Sequence, residues 1–176
     1  MTMLIIFAGL PATGKTTIAR KVASELEAVY LRIDSIEQAM RDSTMLNQPI
    51  DDAGYRVAYA VAEENLRLGR SVVGDSVNPV ELTRDAWMEV AARTNARAIE
   101  VEVTCSDAEE HRKRLETRIS DIAGFKLPTW KDLLSREYHA WSREHLVVDT
   151  AHQTADYCVG IIRLAIADRV CASGRH

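Results

Sequence analysis

The stretch MLIIFAGLPATGKTTIARKVA, residues 3–23, decides the fold. Its apolar run MLIIF (3–7), rich in branched side chains, reads as a buried strand. TTIARKVASELEA (16–28) reads as a helix, and a turn of Gly, Pro, Ala and Thr joins the two. Gly9-Leu10-Pro11-Ala12-Thr13-Gly14-Lys15-Thr16 satisfies GxxxxGK(S/T), the P-loop. Gly9 and Gly14 let the backbone curl so that successive N–H groups point inward, and the helix dipole adds its positive end where phosphate sits. Lys15 then reaches the β and γ phosphates of ATP, the Thr16 hydroxyl binds Mg²⁺, and Thr17 completes the first helical turn at the nucleotide. The motif follows a strand and opens a helix, which is the context it needs.

Outward from this unit, strand-like runs recur at VYLRI (29–33), SVVG (71–74), AIEVEV (98–103) and HLVV (145–148). Helical segments lie between them. Ala53 to Leu68 carries Val57, Val61 and Leu68 on one face and stops at Gly69. Val80 to Thr94 follows a proline, and Asp107 to Arg118 follows Ser106, a candidate N-cap. Strand alternating with helix predicts an α/β fold with a mostly parallel sheet covered on both faces. In AIEVEV, the alternation of Ile99, Val101 and Val103 with Glu100 and Glu102 predicts a strand near an edge with one face partly wet. The least regular stretches are 42–51 and 119–130, loops of the kind that act as lids.

The 176 residues fit one domain, and 47% hydrophobic with 27% charged residues is an ordinary globular composition. A net charge of −4 gives no positive field for a sequence-independent grip on nucleic acid, so a nucleic acid partner is not expected. Cys105, Cys158 and Cys171 are odd in number and lack metal-ligand spacing, which points to a reducing cytoplasm without disulfides. The N-terminal apolar run lacks a basic leader and is too short to span a membrane, so no export and no membrane anchoring are expected.

A P-loop does not say where the γ-phosphate goes. A hydroxyl acceptor needs a positioned base, and a doubly wound sheet presents carboxylates at the C-terminal ends of its strands. Asp34, ending VYLRID, fits this; the alternative is an N-cap for the helix SIEQAMR, which Ser35 could also supply. Asp75, ending VVGD, fits a carboxylate that holds Mg²⁺ through water, or else a turn residue in GDSVNP. In HRKRLETR (111–118), Arg114 and Arg118 stand one turn apart beside the second irregular loop. They fit cations that stabilise a transferring phosphoryl group, or else a solvated face paired with Glu110 and Glu116. His111 in this run reads as solvated. Arg41, Tyr55, Tyr59, Asn78, Trp130, Tyr138 and Trp141 come from segments expected to surround the acceptor side of Asp34.

With these residues assembled, the chain resembles the P-loop kinases related to polynucleotide kinases, chloramphenicol phosphotransferases and zeta toxins, a group with an ATP-binding AAA-like kinase domain. The likeness rests on GLPATGKTTIAR, YLRIDSI, VVGDSVNPVELTRDAW, RLETR and HLVVDT, in that order. It implies a three-layer fold with a parallel five-stranded sheet of nucleoside-monophosphate-kinase type, in order 2-3-1-4-5. It implies one kinase domain over 1–176 with a lid at about 112–128. Asp34 matches the general base, Arg118 the lid arginine on the transferring phosphate, and Arg114 a partner near the adenine. The expected activity is transfer of the γ-phosphate of ATP, with Mg²⁺, to a hydroxyl of a small molecule. A nucleic acid 5′-hydroxyl or nucleotide kinase and a nucleotide-dependent switch are the rivals. One position departs from the pattern. Polynucleotide kinases carry an arginine three residues after the base, where this chain has Glu37, and an acidic side chain there would repel a phosphorylated acceptor.

Overall fold

The computed structural model describes residues 2–46 and 48–171; Met1, Asn47 within the first irregular stretch, residues 172–176 and the side chain of Cys171 lie outside them. Five strands, β1 (Met3–Ala8), β2 (Val29–Arg32), β3 (Val72–Asp75), β4 (Arg97–Thr104) and β5 (Leu146–Asp149), form one sheet in the order β2-β3-β1-β4-β5. Every pairing is parallel. β1 is central and buried along its whole length, as its unbroken apolar run requires.

Its period of two divides the core. Met3, Ile5 and Phe7 pack with Ile18 and Val22 of α1 (Lys15–Glu25) and with Val159 and Ile162 of α7 (Ala155–Cys171). Leu4 and Ile6 pack on the other face, with Ala58, Ala62 and Leu66 of α3 (Ala53–Arg67) and Trp87 and Val90 of α4 (Glu81–Thr94). The remaining helices are α2 (Ile33–Arg41), α5 (Ala108–Thr117) and the short α6 (Trp130–Leu134). Residues 112–128, the expected lid, comprise the end of α5 and an irregular loop.

Four local expectations are corrected. Val57, Val61 and Leu68 are exposed; α3 buries Gly54, Ala58, Ala62 and Leu66 instead, because small side chains let it approach the sheet and α4 closely. β4 is not an edge strand but lies between β1 and β5. Its glutamates are covered by the chain before β5: Arg143 donates to both Glu100 oxygens at 2.6 and 2.7 Å, and Glu102 accepts from Tyr138 at 2.8 Å. The N-cap of α5 is Asp107, which accepts from the backbone of Glu109 and Glu110 at 2.9 Å each, not Ser106. The helix after β2 begins at Ile33, so neither Asp34 nor Ser35 caps it, and its N-cap position holds Arg32, whose side chain makes no capping bond.

Among the described residues no helix is long and apolar enough to cross a membrane, and Cys105 and Cys158 are free thiols.

Candidate active site

The loop between β1 and α1 sits at the C-terminal edge of the sheet, the end at which open α/β sheets bind ligands. Gly9 adopts φ 134°, and a Cβ there would stand 2.2 Å from the Val103 carbonyl oxygen, so only glycine allows β4 to pass so close. Its N–H donates to the Val77 carbonyl at 3.1 Å, which ties the loop to the segment after β3. The Thr150 hydroxyl lies 2.7 Å from the Thr13 carbonyl oxygen and 2.9 Å from that of Thr104, binding the loop to β4 and to the end of β5. The backbone N–H groups of Gly14, Lys15 and Thr16 donate to no described residue, as expected of a first helical turn open to an anion.

Lys15 is 7% exposed and pairs with Asp75, Nζ to Oδ1 at 3.1 Å. Tyr30 donates to the other Asp75 oxygen at 2.7 Å. Burial opposes ionisation of Asp75, yet the Lys15 charge and hydrogen bonds from Tyr30, Thr16 and Lys15 hold its carboxyl below the usual range. A buried, ionised carboxylate next to the P-loop threonine is a hard-oxygen donor set that suits Mg²⁺. The residues present therefore fit the ion.

A cleft of about 870 Å³ opens from this loop. Its walls bring together Lys15, Thr16, Asp34, Arg114 and Arg118, five of the residues singled out from the sequence, with Glu37 and Arg41 from α2 on the far side. Asp34 sits in the first turn of α2 with its side chain 31% exposed. Among the described residues, Arg118 makes no hydrogen bond or ion pair, which leaves its guanidinium available to an anion in the cleft. Arg114 is engaged: it donates to the Thr150 hydroxyl at 2.8 Å and carbonyl at 2.9 Å, and it pairs with Glu110.

Of the residues proposed to surround the acceptor, only Arg41 lines this cleft. Tyr55 accepts from the Asn78 backbone at 3.2 Å, Tyr59 packs edge-on against Trp87 at 4.8 Å, and Asn78 is buried with its amide on the Phe7 carbonyl. Tyr138 and Trp141 stack on the buried Arg84, at 5.0 and 4.1 Å from its guanidinium. Trp130 meets His111 at 5.5 Å. These aromatics are framework, as spacing at helical or near-helical intervals more often means. Glu37 is also changed by its context. Arg41 pairs with it at 3.0 Å, and it packs against Gly54, where a Cβ would come within 2.4 Å of its Cγ. The pair is neutral together, which offsets the repulsion that Glu37 suggests in isolation.

His111 is buried rather than solvated, and its Nε2–H donates to the Pro11 carbonyl at 2.8 Å. It props the P-loop from α5. Replacing it by alanine should remove one hydrogen bond on a phosphate-binding loop, about 1 kcal/mol, and so weaken ATP binding about fivefold by calorimetry with the fold retained. The sequence signal for His111 was its place one turn into the helix capped by Asp107, which is hidden inside a run of charges.

Two further residues had no clear sequence signal beyond a charge in an apolar strand. Arg32 ends β2 with its side chain 3% exposed, and Asp121 comes from the loop after α5. Arg32 Nη1 donates to both Asp121 oxygens, at 2.9 and 3.0 Å, and Arg20 Nη2 donates to Asp121 at 2.6 Å. Hydrogen bonds from Arg32 and Arg20 pull the Asp121 carboxyl down to about 2. A depressed carboxyl stabilises the folded form above its ordinary value near 4, and this contribution is lost as pH falls toward 2.

The sheet order, the glycine loop between β1 and α1, and the lysine and aspartate meeting beneath it define a P-loop NTPase fold of the kinase type. The chain belongs to the AAA domain family, whose model matches residues 4–136. No curated protein sequence matches it. Among solved structures it is similar to Chaetomium thermophilum Kti12 in complex with ADP-AlF3, with 22% identity, 93% of this chain and 98% of that one covered, and a TM-score of 0.67. It is similar to Mycobacterium tuberculosis APS kinase CysC in complex with AMPPNP and APS, with 18% identity, 93% and 97% coverage, and a TM-score of 0.65. A gluconokinase from Sinorhizobium meliloti 1021 aligns at 18% identity over 98% and 97% of the two chains, with a TM-score of 0.64. At these identities the likeness is one of fold.

Proposed function

We propose that this chain is a cytoplasmic, single-domain kinase that transfers the γ-phosphate of ATP to a hydroxyl of a small molecule. The observation that carries this reading is the shared cleft: the P-loop, the carboxylate of Asp34 and Arg118, unpartnered among the described residues, line one cavity large enough for a nucleotide tail and a small acceptor. A nucleotide switch would not need a cavity on the far side of that carboxylate.

In this mechanism Lys15 exchanges Asp75 for the β and γ phosphates when ATP binds, and the loop N–H groups receive the phosphate oxygens. Arg114, held by Thr150, lies on the nucleotide side. Thr16 and Asp75 would hold Mg²⁺, which when bound neutralises charge on the phosphates. Asp34 accepts the proton as the acceptor hydroxyl attacks in line, and Arg118 on the lid, 112–128, meets the charge on the transferring group. The names of the similar gluconokinase and APS kinase support an acceptor of small-molecule size.

The test is a panel of sugars, sugar acids including D-gluconate, polyols and amino alcohols, each assayed for ADP release above the water background. Failure of every compound to raise turnover would favour the switch. A second expectation concerns the lid. Arg118→Ala should lower kcat about 10²-fold while ATP affinity stays within a few-fold, because the guanidinium has no partner among the described residues and acts on developing charge. Loss of ATP affinity with kcat unchanged would reassign it to binding.

A further inference from the structure

The Arg32 guanidinium is buried between two carboxylates and bonded to only one. Its Nη1 takes both oxygens of Asp121, whereas its Nη2 stands 3.9 Å from Asp34 Oδ2, beyond hydrogen-bond distance. Nε and Nη2 have no hydrogen-bond partner among the described residues, although the side chain is 3% exposed. A buried cation in this state is held by its counter-charge, and Asp121 supplies that charge from a loop whose own side chain is 45% exposed. Asp34, for its part, makes no hydrogen bond to any described residue, so its lone pairs face the cleft.

We propose that Asp121 is a positioning residue for Asp34: by occupying Arg32 from the lid loop, it keeps the base carboxylate free of a hydrogen bond to that guanidinium and open to the acceptor. This rests on the reading of Asp34 as the base. When the loop leaves, Asp34 is the carboxylate that remains within ion-pair reach of Arg32. The guanidinium, with two donor nitrogens already unused, then turns to it, and a carboxylate that accepts a charge-assisted hydrogen bond is a poorer proton acceptor. Asp34 thus becomes competent only while the loop is docked. Asp121 also accepts from Arg20 of α1, so the same carboxylate fastens the loop to the P-loop helix. Closure of the cleft and release of the base become one event.

The experiment compares wild type, Asp121→Asn and Asp121→Glu, each crystallised with ADP and checked for a cooperative unfolding transition above the assay temperature. In Asp121→Asn the Arg32 to Asp34 separation should close from 3.9 Å to about 2.8 Å. In Asp121→Glu, which keeps the charge on a side chain that is 45% exposed, the two should stay apart. With D-gluconate, or another panel compound that raises turnover, kcat should fall about tenfold in Asp121→Asn and recover in Asp121→Glu, with the KM for ATP within twofold in both. A separation that stays open in Asp121→Asn, pairing in all three proteins, or an equal loss of kcat in the Asn and Glu variants overturns the proposal. The structural arm involves no phosphoryl transfer, so failure of the kinase reading leaves it intact, and its own failure leaves that reading standing.

Discussion

Asp34→Asn should remove phosphoryl transfer to the acceptor by about 10²–10⁴-fold while ATP still binds, the range that a positioned general base contributes. The fold gives this variant little reason to lose stability. Asp34 caps no helix, its side chain is partly exposed, and the nearest cation, Arg32, is already satisfied on one edge by Asp121. Asparagine keeps the shape and removes the proton acceptor. Calorimetry of ATP binding together with transfer to a panel compound decides the matter. A folded Asp34→Asn protein that still transfers phosphate at the wild-type rate would strip Asp34 of the role of base.

Lys15→Ala should cost about 10²–10³-fold in turnover, since it removes a cation aimed at the reacting phosphates. It should also unfold more easily, which the sequence does not suggest. A P-loop lysine read from sequence looks exposed and dispensable to the core, whereas here it is buried on Asp75. Removing one member of a buried pair leaves the other charged and unpaired, at about 3–5 kcal/mol. For a chain of this size that lowers the midpoint by about 6–20 °C. Asp75→Asn added to Lys15→Ala should recover much of the stability and none of the turnover. The sign with pH follows from Asp75. In the wild type its depressed carboxyl stabilises the fold above the ordinary carboxylate range, and the benefit fades as the medium becomes acid. Without Lys15, burial favours the protonated form, so the gap between the two proteins should narrow on acidification. A Lys15→Ala protein as stable as wild type at neutral pH would mean that the pair contributes nothing.

The parallel sheet was legible because two local signals agree with the global fold: apolar runs at regular intervals, and one motif that fixes strand, turn and helix together; the order of its strands followed only from the resemblance to P-loop kinases. The donor half of the cleft was legible for the same reason, as Gly9 through Thr16 are contiguous. The half proposed to take an acceptor was not. Its walls come from α2 and from the loop after α5, distant in sequence, and aromatic side chains pointed elsewhere: Tyr138 and Trp141 serve the buried Arg84, and Trp130 serves His111. Charges misled in both directions. Glu102 and Glu100 read as wet and are covered by Tyr138 and Arg143, while His111 reads as one more surface residue in a charged run and in fact supports Pro11. In each case a partner from a remote segment changes the meaning of the residue, and single-sequence spacing carries no information about that partner.

The two sides of the cleft are fastened by bonds of different kinds. Thr150 joins the P-loop to β4 and β5 through buried contacts, while the loop bearing Asp121 is held to Arg20 and Arg32 by an ion pair open to solvent on one side. Amide hydrogen exchange should therefore resolve them. Protons of β1 and β4 should exchange only through global opening, and those of 118–129 through local release on a far shorter timescale, faster still as added salt screens the ion pair. A nucleotide then has little order left to create on its own side, and most of the ordering entropy of the bound state falls on the loop that carries Asp121.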